Sequence, residues 1–399
     1  MVNKRNLFLK HVGQTSTFPL QLEVEKAEGM YIYDTQGKAY LDFNSGISVS
    51  SLGHCHPRVV AAVEKQVRKF MHTMVYGEHI QDPQVLFASL ISKHLDPSFT
   101  TTYFLNGGSE AVEAGLKIAK RFTHRYEIVA AAGAYHGSTI GAESLRSDIE
   151  FTKSFMPGIP GIKHIEFNNT SDLSKITEKT AAVIMEPVQG ESGVITPTPD
   201  YLKQVSRRCK EVGALFLLDE IQTGFGRTGS LFAHQKYDII PDMIFIGKAM
   251  GSGMPISGVI SRKEIMASIT QNPALGHITT FGGHPVCLAA AYAGLEELVT
   301  TGIIEQVSSK EDLIKSLLNH EIIREVRSSG MMMAVELSKR KYLKHVVAKA
   351  MDLGVIIDYF LFNDRSFRLA PPLIASEEDI TKGCRLLLEA MDYARDQYK

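Results

Sequence analysis

Six short segments in the middle of the chain are apolar at nearly every position: TTYFL (101–105), EIVAAAG (127–133), AAVIMEP (181–187), ALFLLDE (214–220), MIFIGK (243–248) and ISGVIS (256–261). A strand that faces water on one side alternates apolar and polar residues. A near-continuous apolar run is the pattern of a strand covered on both faces. Amphipathic helices fill the intervals. In DYLKQVSRRCKEVG, Leu202, Val205, Cys209 and Val212 recur at helical spacing, with Asp200 placed to cap the start and Gly213 to end the helix. Pro57 opens a helix in which Val60, Val63, Val67 and Phe70 share one face. The βαβα order predicts an α/β fold with a mainly parallel central sheet sandwiched between helices.

The flanks read differently. Helical stretches at 286–319 and 376–398 surround short strands at MMMAVEL (331–337), VIIDY (355–359) and SFRLAP (366–371), the pattern of a smaller α+β domain. Near the start, MYIYDTQGKAYLDF predicts a hairpin around Thr35-Gln36-Gly37. A chain of 399 residues is longer than one core usually serves. The expected division is an N-terminal segment (1–50) packing with the small domain, a large domain (51–285) and a small C-terminal domain (286–399).

Charge and composition narrow the partners. The formal net charge of -1 gives no basic field for nucleic acid or an anionic membrane. The first residues, MVNKRNLFLKHVGQ, lack the apolar stretch of a secretory signal, and no run is long enough to span a bilayer. Cys55, Cys209, Cys287 and Cys384 lie too far apart for a zinc site or a redox dithiol, so free thiols in a cytoplasmic protein are expected. His54 and His56 in GHCHP have no evident third ligand, and no metal site is expected.

In open α/β sheets, ligands bind beyond the carboxyl ends of the strands. After TTYFL comes Asn106-Gly107-Gly108-Ser109-Glu110, then a helix with Ala111, Gly115, Ile118 and Phe122 on one face. The turn reads equally as an anion site at a helix N-terminus or as a plain βα turn with Ser109 as N-cap. After ALFLL come Asp219 and Glu220, and after MIFIG comes Lys248. Either charge alone reads as a solvated strand end. Together they suit one chemistry: a lysine amine forms a Schiff base with an aldehyde, and an aspartate keeps a pyridinium nitrogen protonated. Gly224-Phe225-Gly226-Arg227-Thr228-Gly229 spells G-x-G-x-x-G, but Asp219-Glu220 stands between it and the strand. Two carboxylates would repel a pyrophosphate, and no long helix begins within the motif, so the dinucleotide reading is rejected.

The run LLDEIQTGFGRTG, followed by the lysine of IGKAMGSGMPISGV, resembles the signature of class III pyridoxal-phosphate aminotransferases. The resemblance extends through LDFNSGISVSSLGHCHP, NGGSEAVEAGLKIAK, AYHGST, MEPVQGE, TTFGGHP and FRLAPPL, in the family's order. It implies a fold type I transferase in which 51–285 binds pyridoxal 5'-phosphate. Lys248 would carry the cofactor and Asp219 would pair with the pyridine nitrogen. Gly108 and Ser109 would bind phosphate, Tyr135 would stack on the ring beside His136, Gln222 would approach the ring hydroxyl, and Glu186 would lie close by. Thr280 would reach the phosphate of a neighbouring subunit, which implies a homodimer with shared active sites, and Thr279 would lie near the substrate. Arg368 matches the arginine that clamps a substrate carboxylate, and Glu191 the acid that pairs with it when no carboxylate is present.

The chain departs from the acetylornithine and ornithine members at one telling position. Where they carry an arginine for the donor's α-carboxylate, it has Ser138, a hydroxyl without charge. His284 stands where asparagine is frequent. The expected activity is transfer of an amino group from an ω-amino acid or amine to an oxo acid, 2-oxoglutarate, by a ping-pong cycle. A racemase, epimerase or aminomutase would use the same lysine and aspartate, and a non-catalytic protein would not need Lys248, Asp219 and Gln222 together.

Overall fold

A computed structural model describes residues 3–398; Met1, Val2 and Lys399, the ends of the expected N- and C-terminal units, lie outside it. At its centre is a seven-stranded sheet in the spatial order Thr101–Leu105, Ser257–Ser261, Met243–Ile246, Leu215–Asp219, Thr180–Met185, Glu127–Ala131, Ile162–Ile165. The last five in that order run parallel to one another. Ser257–Ser261 is antiparallel to both its neighbours. The strands from Met243–Ile246 to Glu127–Ala131 are buried at every residue, the two-sided covering that their composition predicts. The edge strand Thr101–Leu105 buries only Leu105.

Helix Gly108–Thr123 lies against the sheet through Ala111, Gly115 and Ile118, whereas Phe122, expected on the same face, is exposed. Helix Tyr201–Val212 covers another part of the sheet with Leu202, Val205, Cys209 and Val212. Gly213 ends it at φ +69° as expected, but Asp200, at φ +62° rather than in the extended conformation of a capping residue, makes no capping bond. Ser109 is no cap either, since Gly107 takes that position. Helix Pro57–Lys69 turns Val59 and Gln66 inward and leaves Val60 and Val67 exposed, so the valine stripe read from the sequence is not its buried face. A helix between core and surface can rotate by one residue without altering its apolar count.

Two further four-stranded sheets flank this body. The N-terminal hairpin, Tyr31–Asp34 with Ala39–Asp42, is extended by Val24–Glu28 and, from the far end of the chain, by Val355–Ile356. Asp34 Oδ1 fixes the turn by accepting the N–H groups of Gln36 and Lys38, both at 2.9 Å. The third sheet runs Ile323–Ser329, Met332–Leu337, Ser366–Leu369, Asp358–Tyr359. The expected strand 355–359 is therefore two strands in two sheets, divided at the buried Ile357. The helical stretch 286–319 likewise divides into Pro285–Thr300 and Val307–Leu317, with Gly302 at φ +72° between them. Arg340–Leu353 and Glu377–Asp396 complete the helices packed against these sheets.

Among the described residues no single helix is long and apolar enough to cross a membrane. The bent pair Pro285–Thr300 and Ile304–Leu317 has the composition, but a 59° bend separates its halves and its apolar side chains lie in the core. Cys209, Cys287 and Cys384 are buried and Cys55 is exposed, all as free thiols.

Candidate active site

Five strands of the large sheet end around one cavity. Leu215–Asp219 and Met243–Ile246 are hydrogen-bonded neighbours, with Asp219 opposite Phe245, so Asp219 and Lys248 emerge side by side. Thr101–Leu105 leads to Gly108 and Ser109, Glu127–Ala131 to the Tyr135–Ser138 turn, and Thr180–Met185 to Glu186. The cavity holds about 300 Å³ and is lined by Gly108, Ser109, Tyr135, His136, Gly137, Ser138, Glu186, Asp219, Ile221, Gln222 and Lys248. That is the size and character of a small-ligand site.

Asp219 is buried and held on both oxygens. Oδ1 accepts the N–H of Ile221 at 3.0 Å, and Oδ2 lies 2.7 Å from Nδ1 of the buried His136. A carboxylate there places the imidazole proton on Nδ1, which leaves Nε2 buried without a partner. Glu186 ties two walls together. Its Oε1 accepts the N–H of Tyr135 at 3.0 Å and its Oε2 that of Gly190 at 2.8 Å. Burial pushes the Glu186 carboxyl up to about 7, with Asp219 adding to the shift and His136 and the two N–H groups opposing it. Lys248 sits at φ +46°, a backbone conformation uncommon for any residue but glycine. Desolvation draws its amine below the ordinary lysine range; Arg368 acts in the same direction, and Glu191, Asp219 and Glu186 act against it. An amine so placed is a better nucleophile than a solvated one.

The Glu186 shift has a measurable consequence. Between pH 4.5, its ordinary value, and about 7, the native chain holds a proton that the unfolded chain has released. Stability therefore falls as pH rises through that window, by roughly 3 kcal/mol in all. In cofactor-free protein, Glu186→Gln is expected to remove this slope, which urea melts at a series of pH values will measure; an unchanged slope assigns it to another group.

A second cluster adjoins the cavity. Arg368, on strand Ser366–Leu369, is almost fully buried. Its Nη2 donates to Glu191 Oε1 at 2.5 Å, its Nε has no partner, and its guanidinium lies 4.7 Å from the centre of the Phe360 ring. Glu191 Oε2 accepts the N–H of Leu361 at 3.1 Å. Burial raises the nearby Asp358 carboxyl, against the pull of Arg368.

Of the residues named from the sequence, nine line the cavity and Arg368 and Glu191 form the adjoining pair. Thr279 and Thr280 are not in it. Thr279 Oγ1 accepts a hydrogen bond from Asn106 Nδ2 at 3.0 Å, and Thr280 is exposed, its carbonyl accepting from His72 Nε2 at 2.9 Å. The sequence reading missed Gly137 and Ile221. Gly137 has φ +125°, and a Cβ there would lie 2.3 Å from Cβ of Ser109, so only glycine lets the two walls approach. Position next to motif residues was the available signal for both. Arg146 lies behind the Tyr135 wall, its Cζ 5.6 Å from the ring centre, and does not line the cavity.

The family model described as aminotransferase class-III matches residues 12–391. The chain is 34% identical over 391 residues to acetylornithine aminotransferase of Caldanaerobacter subterraneus, covering 95% of this chain and 96% of that one. It is 36% identical to putrescine aminotransferase of Pectobacterium atrosepticum, over 90% and 80% of the two chains. Among solved structures, the ornithine aminotransferase of Toxoplasma gondii superposes with a TM-score of 0.91 at 27% identity, over 98% of this chain and 94% of that one. A transaminase of the marine bacterium Virgibacillus gives 0.92 at 26%, over the whole of both chains.

The chain belongs to the class III aminotransferases, transaminases that use pyridoxal phosphate on a fold of type I. The groups around the cavity fit that cofactor: a carboxylate for a ring cation, an uncapped helix start for a phosphate, and an enclosed amine for an aldehyde.

Proposed function

We propose that this transaminase moves an amino group from an ω-amino acid or amine to an oxo acid, 2-oxoglutarate, in two half-reactions that share one cavity. The observation that carries the reading is the placement of Asp219 and Lys248 on adjacent strand ends facing a single cavity. When bound, pyridoxal phosphate supplies an aldehyde and a protonated ring that takes up the electron pair freed at the substrate carbon.

Every other part of the work falls to the chain's own residues. Lys248 would hold the cofactor through its Nζ, and the same amine would take up and return the proton of the substrate carbon. Asp219 keeps the ring nitrogen protonated, oriented by His136 and the Ile221 N–H. Gly108 and Ser109 hold the phosphate at the helix start, Tyr135 covers the ring, and Gln222 meets the ring hydroxyl. Glu186 fixes the Tyr135 wall through its backbone. Arg368 clamps the acceptor's carboxylate, Glu191 occupying it between turnovers. Ser138 lies toward the substrate, and Thr279, which does not line the cavity of its own chain, stands beside Thr280. Thr280, exposed in the single chain, completes the phosphate site of a second copy in a homodimer. The large domain (51–285) carries the cofactor, the units 1–50 and 286–399 pack together beside it, and the enzyme works in the cytoplasm.

The test is a half-reaction: holoenzyme mixed with one donor and no oxo acid, followed by absorbance. Conversion of the cofactor to its amino form supports the reading. A donor that is racemised, or whose amino group shifts along its own chain, overturns it. Arg368→Ala is expected to raise KM for 2-oxoglutarate by about 100-fold, the loss of a bidentate charged contact, with a smaller change in kcat. Steady-state kinetics at saturating donor will measure it, and an unchanged KM removes Arg368 from the clamp.

A further inference from the structure

On the transaminase reading, with Arg368 as the carboxylate clamp, a second acid besides Glu191 bears on that arginine. The Arg368–Glu191 pair is joined to the cavity through Gly190. The N–H of Gly190 binds Oε2 of the lining residue Glu186 at 2.8 Å, and its backbone lies so close to Oε1 of the lining residue Gln222 that a Cβ would have no room. Arg368 itself is 2% exposed, and its Nε has no partner. A buried N–H without an acceptor is costly unless a ligand supplies one, and a carboxylate has the two oxygens that one edge of a guanidinium takes.

Asp358 faces the same guanidinium from the next strand. Asp358–Tyr359 runs antiparallel to Ser366–Leu369 with Asp358 directly opposite Arg368. Residues paired in this way project from one face of the sheet. On the other side of Arg368 the paired residue is Ala334, which carries no charge. Phe360, two residues beyond Asp358, lies with its ring centre 4.7 Å from the guanidinium, so this segment turns its side chains toward Arg368. Among the described residues Asp358 forms no ion pair within 4 Å, and its Oδ1 accepts the N–H of Tyr359 at 2.8 Å. Its charge is nevertheless felt at the clamp. Burial raises the Asp358 carboxyl, the Tyr359 N–H and Arg368 lower it, and Glu191 raises it.

The two acids differ in freedom. Glu191 can turn away when a substrate carboxylate reaches Arg368. Asp358 cannot follow it, because its backbone is paired in the sheet and its carboxylate is tied to Tyr359. We propose that Asp358 is a specificity-determining residue of the acceptor site, whose fixed carboxylate opposes an incoming carboxylate at Arg368 and so weakens the enzyme's hold on the oxo acid. It touches neither cofactor nor reacting atoms; it acts through the field at the guanidinium.

The test compares 2-oxoglutarate with butanal, an acceptor that has a carbonyl and no carboxylate, at saturating donor. Asp358→Asn keeps an oxygen for the Tyr359 N–H and removes the charge. The holoenzyme variant is expected to lower the ratio of KM for 2-oxoglutarate to KM for butanal by about fivefold. Asp358→Glu keeps the charge and should not lower the ratio. Calorimetric binding of glutarate, an unreactive dicarboxylate, gives a readout without turnover: Asp358→Asn should tighten it by a similar factor. A structural disturbance moves both KM values together and loosens glutarate, and that result overturns the proposal, as does a ratio lowered equally by Asp358→Glu. Arg368→Ala, measured in parallel, separates the two readings. If it leaves the ratio unchanged, the clamp fails and this inference with it. If it raises the ratio while Asp358→Asn leaves it as in wild type, the role of Asp358 fails alone.

Discussion

Replacing Lys248 with alanine is expected to lower transamination by on the order of 10⁴-fold or more, because the covalent hold on the cofactor and the proton carrier vanish together. The fold should survive. Lys248 occupies a cavity wall, and its amine is enclosed at a desolvation cost rather than committed to packing. A short side chain relieves that cost, so the cofactor-free Lys248→Ala protein is expected to be no less stable than wild type. Two measurements separate the effects: steady-state turnover and a urea melt of the cofactor-free proteins. Retained turnover would contradict the mechanism, and a collapsed melt would mean that the lysine also serves the fold.

The second large effect concerns stability and comes from the motif that mimics a dinucleotide site. Arg227, within Gly224–Gly229, is fully buried. Its Nη1 donates to the carbonyls of Met331 and Pro371 at 3.0 and 2.6 Å, and its Nη2 to Ser51 Oγ at 3.1 Å. The backbone reciprocates, the N–H of Met331 donating to the Arg227 carbonyl at 2.9 Å. One side chain therefore ties the middle of the chain to its N-terminal part and to two C-terminal segments. Arg227→Met fills much of the volume but leaves those acceptors buried and unpaired, a loss of about 4 kcal/mol. A fall in the urea midpoint at unchanged slope will show it. A midpoint shifted by no more than a surface substitution would mean that water replaces the guanidinium.

Arg227 also shows what a sequence conceals. The G-x-G-x-x-G spacing was rejected as a phosphate cradle on the carboxylates before it, yet nothing local says that its arginine would be sequestered by segments from both ends of the chain. The central strands were legible because apolar residues at every position have one explanation, cover on both faces. Ile162–Ile165 and Ile323–Ser329 were not, since IKHI and IREVRSS are edge strands with charged residues turned to solvent. Segment 355–359 carries the composition of one strand, and its division between two sheets depends on partners far away in sequence.

The site followed the same logic. Asp219, Lys248 and the Gly108–Ser109 turn could be read from strand ends, because topology brings such ends together whatever the loops do, whereas Tyr135, His136, Glu186 and Gln222 were named through family resemblance. Thr280 was named only through family resemblance, and in the single chain it faces solvent.

Borohydride trapping shows whether Lys248 carries the cofactor and yields it to an amino donor. Holoenzyme is reduced, digested and mapped by mass spectrometry, with and without prior incubation with a reactive amino donor. A pyridoxyl group on Lys248 alone is expected in the untreated enzyme, and its loss is expected after donor treatment. A label on another lysine, or one on Lys248 that persists after a donor has been consumed, would contradict it.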